Sequence, residues 1–517
     1  DSAGMISVWR GSDLLAEPER VESGGGQLFT LSVWDTADRT LVSYKETWGN
    51  AKIDPSSEWT GTWRDPRFAG AAQGGHLPEN ALTGTMYKVN SVYLPVTVNS
   101  DEGKYRLWRN SGLDSIPAGT SVELADQTVG YEANEDVDNG FRPQGLIRLS
   151  TTVGSTPEYL TDYGNTVSAG TMKHHVTLYR AASGALVFSA GSVQWGWGLD
   201  STHDVSRPAA DPRMQQAEVN LLADMGALPG TLMAGLNPAT ASADKVAPTT
   251  VITTPTAGQT VAHGSRVTVT GTAADVGGRV AGVEVSTDGG VSWHPAEGTT
   301  NWTYSYLQQG FQSATIIARA IDDSANFTRA GTTRSLVVTG PYSAFGDEVP
   351  TLASTTDTQA VELGLRFTPD VDGYVSGVRF YKGAANTGSH VGTPWSPDGS
   401  ALATVQFIGE TATGWQTALF SAPVAVKAGT KYVVSYTAPQ GGYAYVDDYW
   451  PYGAATSTPV AVTSGVGTLS PGLYGNAGEL PWRTWGDSNY YVDVVFESTL
   501  GSPLRIAARE PALGASS

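Results

Sequence analysis

Short runs in which apolar and polar residues alternate recur along most of this chain. Arg39 to Lys45, Val267 to Thr270, Val283 to Ser286 and Ala314 to Ala320 each keep a two-residue period. That period places successive side chains on opposite faces of an extended strand, so one face can enter a core while the other meets water. Such a chain is mostly β. The 61 glycines and 28 prolines supply the turns that many short strands require. A length of 517 residues leaves room for three or so domains.

Charge narrows the partners. Lys plus Arg total 31 against 50 Asp plus Glu, a net charge of -19. Nucleic acid and anionic membranes select cationic surfaces, so neither is expected as a partner. No apolar run is long enough to span a bilayer. There is no cysteine, which removes disulfides, thiolate metal sites and thiol nucleophiles together. A Thr-, Gly- and Trp-rich, Lys-poor composition is expected of a secreted bacterial protein. The chain begins at Asp1 without a signal-peptide pattern, so the expectation is a removed leader or a piece of something longer.

Residues 1–240 mix strand patterns with one well-marked helix. Asp211 suits an N-cap and Pro212 the first turn; Met214, Ala217, Leu221, Leu222 and Met225 share a face, and Gly226 fits a C-terminal cap. The run GSVQWGWGLD (191–200), read as a glycine-rich strand end followed by a loop and this helix, predicts an α/β unit. Residues 227–249 read as a linker. From 250 to 340 short alternating strands, with Asp288-Gly289-Gly290 between Val285 and Trp293, predict an immunoglobulin-like sandwich. Residues 341–498 predict a second β-sandwich of jelly-roll type, and 499–517 a tail.

Three groups of segments in the first region carry a resemblance: RTLVSYKET with TWRDPRF and PENALTG; GYEANEDVDNG with RPQGLIRLS; and HHVTLYRAASGALVFSAGSVQWGWGLD with MQQAEVNLLADMG. Together they resemble the N,N-dimethylformamidase large-subunit-like domain of secreted bacterial multidomain proteins. In those proteins it is followed by an Ig-like module and a sandwich domain of unknown function, which TPDVDGYVSGVRFYKG resembles. The resemblance implies a partial glutamine-amidotransferase-like α/β fold for residues 1–240. It also implies an amidase whose mononuclear iron is held by two tyrosines and a glutamate. Hard oxygen donors suit Fe(III), which can polarise an amide carbonyl and acidify water. Glu79 in PENALTG is the position matched to the glutamate. The tyrosines are expected upstream of RTLVSYKET, yet no tyrosine precedes Tyr44. The expectation is therefore a first domain incomplete at its N-terminus, completed by a companion chain or segment.

The stretch from Thr62 to Gly84 has neither helical nor strand period and is rich in bulky and charged groups, which marks it as functional. It supplies His76, Arg64 and Asp65 as candidate catalytic groups and Trp63 as a substrate-facing ring; an internal ion pair with an aromatic anchor is the structural alternative. Glu132, Glu135, Asp136 and Asp138 resemble a calcium loop in composition, though not in EF-hand spacing, and are candidate metal ligands; a solvated acidic loop is the alternative. His174 and His175 should face opposite sides of a strand, one in the core and one exposed. Trp197, Asp200 and His203 lie between a predicted strand and helix and are substrate-binding candidates, with capping as the alternative. In the third region GGYAYVDDYWPYG (441–453) offers Tyr445 and Trp450 for stacking on sugar or for a calcium-binding loop. Two functions follow. One is a secreted metal-assisted hydrolase of a C–N bond in a small molecule, with iron or calcium as cofactor. The other is a non-catalytic protein that binds glycan or a cell surface.

Overall fold

The computed structural model describes residues 64, 78–164, 166–203, 209–447, 449–450, 456–457, 459–463, 465 and 467–499, together with the strand backbones of Glu19–Ser23, Gly26–Ser32 and Thr40–Ser43. The chain divides into two compact units. One comprises 1–255, 269–304 and 315–334; the other comprises 256–268, 305–314 and 335–517.

In the first unit, four antiparallel strands close into a ring in the order Thr166–His174, Val129–Glu135, Met86–Leu94, Thr152–Thr161. Beside it runs a three-stranded antiparallel sheet of Leu186–Ser189, Thr177–Arg180 and Ile147–Arg148. Val89, Val129, Ala133 and Met172 are fully buried along the ring strands. Trp108 fills the adjoining core and donates its indole N–H to the Leu149 carbonyl at 2.8 Å.

The helix Pro212–Asp224 forms where expected. The Asp211 carboxylate accepts the Arg213 amide, and Met214, Ala217 and Leu221 turn into the core, while Met225 lies outside it. Asn220 fixes the helix by donating to both the Leu107 and Arg109 carbonyls at 2.7 Å. The predicted α/β unit is not found. Trp195–Gly198 is a 3-10 turn rather than a strand, and the described strand pairs of residues 78–240 are antiparallel. An α/β unit needs parallel strands joined across the helix; here the helix packs beside antiparallel sheets.

The Ig-like region follows as strands paired antiparallel, apart from Thr260–Ala262, which runs parallel to Thr332–Thr339. Thr249–Thr254 pairs with Arg266–Ala274 through residues 270–274, and Val280–Ser286 pairs with Gln312–Asp322 through residues 317–322. A buried chain of charges ties this part of the unit to the loop after Glu135. Asp136 accepts from Arg142 and from Arg148, each at 2.8 Å. Arg142 then reaches Glu284 at 2.8 Å, and Arg319 holds the other Glu284 oxygen at 2.7 Å. Arg319 lies over the Trp293 ring at 3.6 Å.

The second unit carries the third domain as two antiparallel sheets. One has seven strands, with Val361–Pro369 paired to both Tyr432–Ala438 and Gly472–Asn476. The other has Gly414–Val426, Gly373–Lys382 and Val492–Glu497. Phe367, Phe380, Tyr436 and Phe496 fill the core, with Phe380 stacked on Tyr436 at 4.0 Å.

Removing the Glu284 charge strands Arg319 in a buried setting, while Arg142 keeps Asp136. Glu284→Gln is expected to destabilise the first unit by about 3–5 kcal/mol, read as a lower urea midpoint for the transition that exposes Trp108. An unchanged midpoint would show that the chain of charges contributes nothing net.

Candidate functional site

Glu79 turns inward at the start of the one-turn helix Asn80–Thr83, and it is 4 % exposed. One carboxylate oxygen accepts from Arg64 Nη2 at 2.9 Å and from the Tyr87 amide at 3.1 Å. Arg64 in turn donates from Nη1 to the Tyr87 carbonyl at 2.9 Å. The pair therefore grips both backbone groups of one residue, at the point where the pairing of Met86–Leu94 with Val129–Glu135 slips register. The other Glu79 oxygen and the Arg64 Nε have no hydrogen-bond partner among the described residues. An unpaired buried carboxylate oxygen is costly, and such a cost is a mark of a site.

A second carboxylate stands near. Glu135 accepts the Tyr159 hydroxyl at 2.8 Å and the Lys173 amide at 2.6 Å. Burial and this carboxylate push the Tyr159 phenol up. The Lys88 ammonium lies 4.9 Å from the Tyr159 ring centroid. Burial pushes Lys88 down, Glu135 and Glu79 pull it up, and Arg64 pushes it down. Arg64, Glu79, Lys88, Glu135 and Tyr159 thus form one half-buried electrostatic group. Asn80 anchors its edge by exchanging amide bonds with Asn139 at 2.9 and 3.1 Å.

The residues expected from sequence divide clearly. Arg64 and Glu79 come together. His76, Asp65 and Trp63 lie outside the described residues. The acidic run does not converge on a cation. Glu132 is buried in its strand, and Glu135 serves Tyr159 and Lys173. Asp136 is not a ligand either: both its oxygens are taken by arginines, which hold its carboxyl down to about 2 against the cost of burial. Asp138 pairs with His294 at 2.9 Å. Alternation separates Glu132 from Glu135 on the strand Val129–Glu135, while Asp136 and Asp138 lie in the loop beyond it. Among the described residues, a group of three carboxylates converges elsewhere: oxygens of Asp244, Asp275 and Asp322 lie within 4.8 Å of one another.

His174 and His175 are both buried, correcting the expectation of one exposed ring. They do face different ways, His174 toward the Ala190 carbonyl and His175 toward that of Ser150. Asp200 is exposed and closes a local turn on the Thr202 amide at 2.7 Å. His203 stacks on Trp197 at 4.6 Å, covering one face of that ring. Trp450 cannot stack on sugar: it is fully buried in the third-domain core, with its N–H on the Ser488 carbonyl at 2.8 Å. Tyr445 is partly buried beside Tyr443. Lys88 and Tyr159 lie outside the runs whose alternation marks strands in the sequence, and neither was singled out there.

Known families account for most of the chain. Residues 21–210 match the model described as N,N-dimethylformamidase beta subunit-like, C-terminal. Residues 248–318 match a bacterial Ig domain, and 347–492 a domain of unknown function, DUF4082. Their order is the one the resemblance implies. No curated protein sequence matches significantly. Among solved structures, fibronectin(III)-like modules of Clostridium thermocellum CbhA share 19% identity, covering 17% of this chain and 92% of theirs, with a TM-score of 0.15. A putative membrane anchored protein from Corynebacterium diphtheriae shares 11%, covering 90% of this chain and 92% of its own, with a TM-score of 0.13. Neither likeness is close enough to bear on fold or function. No helix among the described residues is long and apolar enough to cross a membrane.

The buried histidines make this domain sensitive to acid. Burial pushes His174 down to about 4 and His175 to about 3. Between those values and the ordinary 6.5, both are neutral when folded and protonated when unfolded. The unfolded state then binds more protons, so stability falls as pH drops from 6.5 to 4. Asp322, pushed up to about 6 by burial, acts in the opposite sense below that value, as do Asp323 and Glu102, whose carboxyls burial also pushes up. The histidine contribution is therefore read as a difference: between pH 6.5 and 4 the thermal midpoint of the first unit should fall more steeply, or rise less, in the unaltered chain than in the His174→Gln, His175→Gln variant. Parallel pH profiles would overturn this.

Proposed function

We propose that the first domain hydrolyses an amide or related C–N bond of a small molecule, outside the cell, and that the two β-sandwich modules space or anchor it. Glu79 is the reacting carboxylate. One observation carries this reading: a buried carboxylate is fixed at one oxygen by Arg64 and the Tyr87 amide, with its other oxygen unpartnered among the described residues. Such a group can take a proton from water as that water attacks a carbonyl carbon. The Lys88 ammonium, the cation of this group without an ion pair among the described residues, meets the negative charge that develops on the carbonyl oxygen. The proton held by Glu79 then passes to the leaving nitrogen as the C–N bond breaks, giving a carboxylic acid and an amine. The family match over residues 21–210 and the bacterial Ig domain support the class and the location.

The iron implied by the resemblance needs two tyrosinate donors beside the glutamate. Among the described residues Glu79 offers one oxygen, but the phenol of this group, Tyr159, donates to Glu135 and is held protonated. That donor set does not fit the iron centre, so the proton steps above are assigned to side chains alone.

The test is release of dimethylamine from N,N-dimethylformamide, and of ammonia from formamide, by the full chain. Glu79→Gln is expected to lower the rate about 100-fold or more while the far-UV circular dichroism stays unchanged. Absence of amine release by the unaltered chain, or an equal rate in the variant, overturns the reading.

A further inference from the structure

Tryptophan distribution singles out one loop of the third domain. Trp482 is 68% exposed and Trp485 is 67% exposed. Every other tryptophan among the described residues is buried or partly buried. Indoles are heavily buried on average because of their large apolar surface, so two exposed within four residues of each other require a cause.

The loop is not loose. Arg483 exchanges two backbone hydrogen bonds with Tyr474, at 2.8 and 3.1 Å, which fixes the segment to the edge of the larger sheet. The Asp487 carboxylate accepts the Gly467 amide at 2.6 Å, and its carbonyl accepts the Trp450 amide at 3.3 Å. Ser488 closes the turn on the Trp485 carbonyl at 3.0 Å and bonds Asp447 at 2.5 Å. Pro481 is buried at the loop entrance. Both indoles are therefore held in water by a pinned backbone.

We infer that Trp482 and Trp485 are the stacking faces by which the third domain binds a neutral polysaccharide. A pyranose ring presents an apolar C–H face that packs on an indole, while its hydroxyls stay with water and polar neighbours. Those neighbours are present: Arg483, 5.2 Å from the Trp482 ring centroid, and the exposed Asn476 and Glu479, bonded to each other at 2.9 Å. The two rings make no ring-to-ring contact among the described residues, which suits separate sugar units along a chain. A protein partner would need about 800 Å² of surface per side with an apolar centre, and Leu469 is the large aliphatic residue exposed on the neighbouring turn, Gly467–Leu469. The net charge of -19 opposes a polyanionic glycan. This inference stands apart from the hydrolase reading, since it concerns the other unit and different chemistry.

The full chain is to be incubated with insoluble cellulose, chitin and xylan, beside its Trp482→Ala, Trp485→Ala double variant. Both positions are exposed, so the variant should unfold at the same temperature. Retention on at least one polymer, weakened tenfold or more in the variant, is the expected result. Single substitutions should each give a partial loss. Retention equal in both proteins, or on none of the three polymers, overturns the inference. So does sedimentation showing a dimer of the unaltered chain that the double variant abolishes, because a second copy would then be what covers the loop.

Discussion

Two carboxylates and two guanidiniums buried in one chain, Asp136 to Arg142 to Glu284 to Arg319, with the half-buried Arg148 at its end, set the constraint on the first unit. Charges out of water are tolerable only when each finds its counterpart. Here the counterparts come from residues far apart in sequence: the loop after a ring strand supplies Asp136 and Arg142, and the Ig-like strands supply Glu284 and Arg319. Of the loop whose composition resembles a calcium site, Asp136 is taken into this arrangement by Arg142 and Arg148.

Among the described residues of the first domain, the proposed chemistry draws on the group around Glu79. Its two carboxylates are treated differently by their surroundings. Glu135 is bonded at both oxygens, by Tyr159 and the Lys173 amide. Glu79 is bonded at one. The two carboxylates thus differ in hydrogen-bond support, and only Glu79 keeps an oxygen without a partner among the described residues.

The β content, the Ig-like strands and the helix Pro212–Asp224 were legible because each rests on local periodicity and capping. The α/β expectation failed because one helix after a glycine-rich run says nothing about whether the flanking strands are parallel; strand direction is a tertiary property. Arg64 and Glu79 were legible as candidates, but their meeting was not, since 14 residues of aperiodic chain lie between them. Among the aromatic residues of the third domain, composition could not separate Trp450, which is core, from Trp482 and Trp485, which are wet. Burial of an aromatic depends on which side of a turn it leaves, and no spacing rule records that.

The hold of Arg64 and Glu79 on the Tyr87 backbone has a mechanical side. Each contributes one bond to the same peptide neighbourhood, where the strand slips register against its partner. Loss of the Glu79 bond would release one of those two tethers and leave Arg64 to hold Tyr87 alone. The ion pair and the strand geometry at Tyr87 are thus coupled: a ligand that displaces either side chain also tugs on the ring of strands.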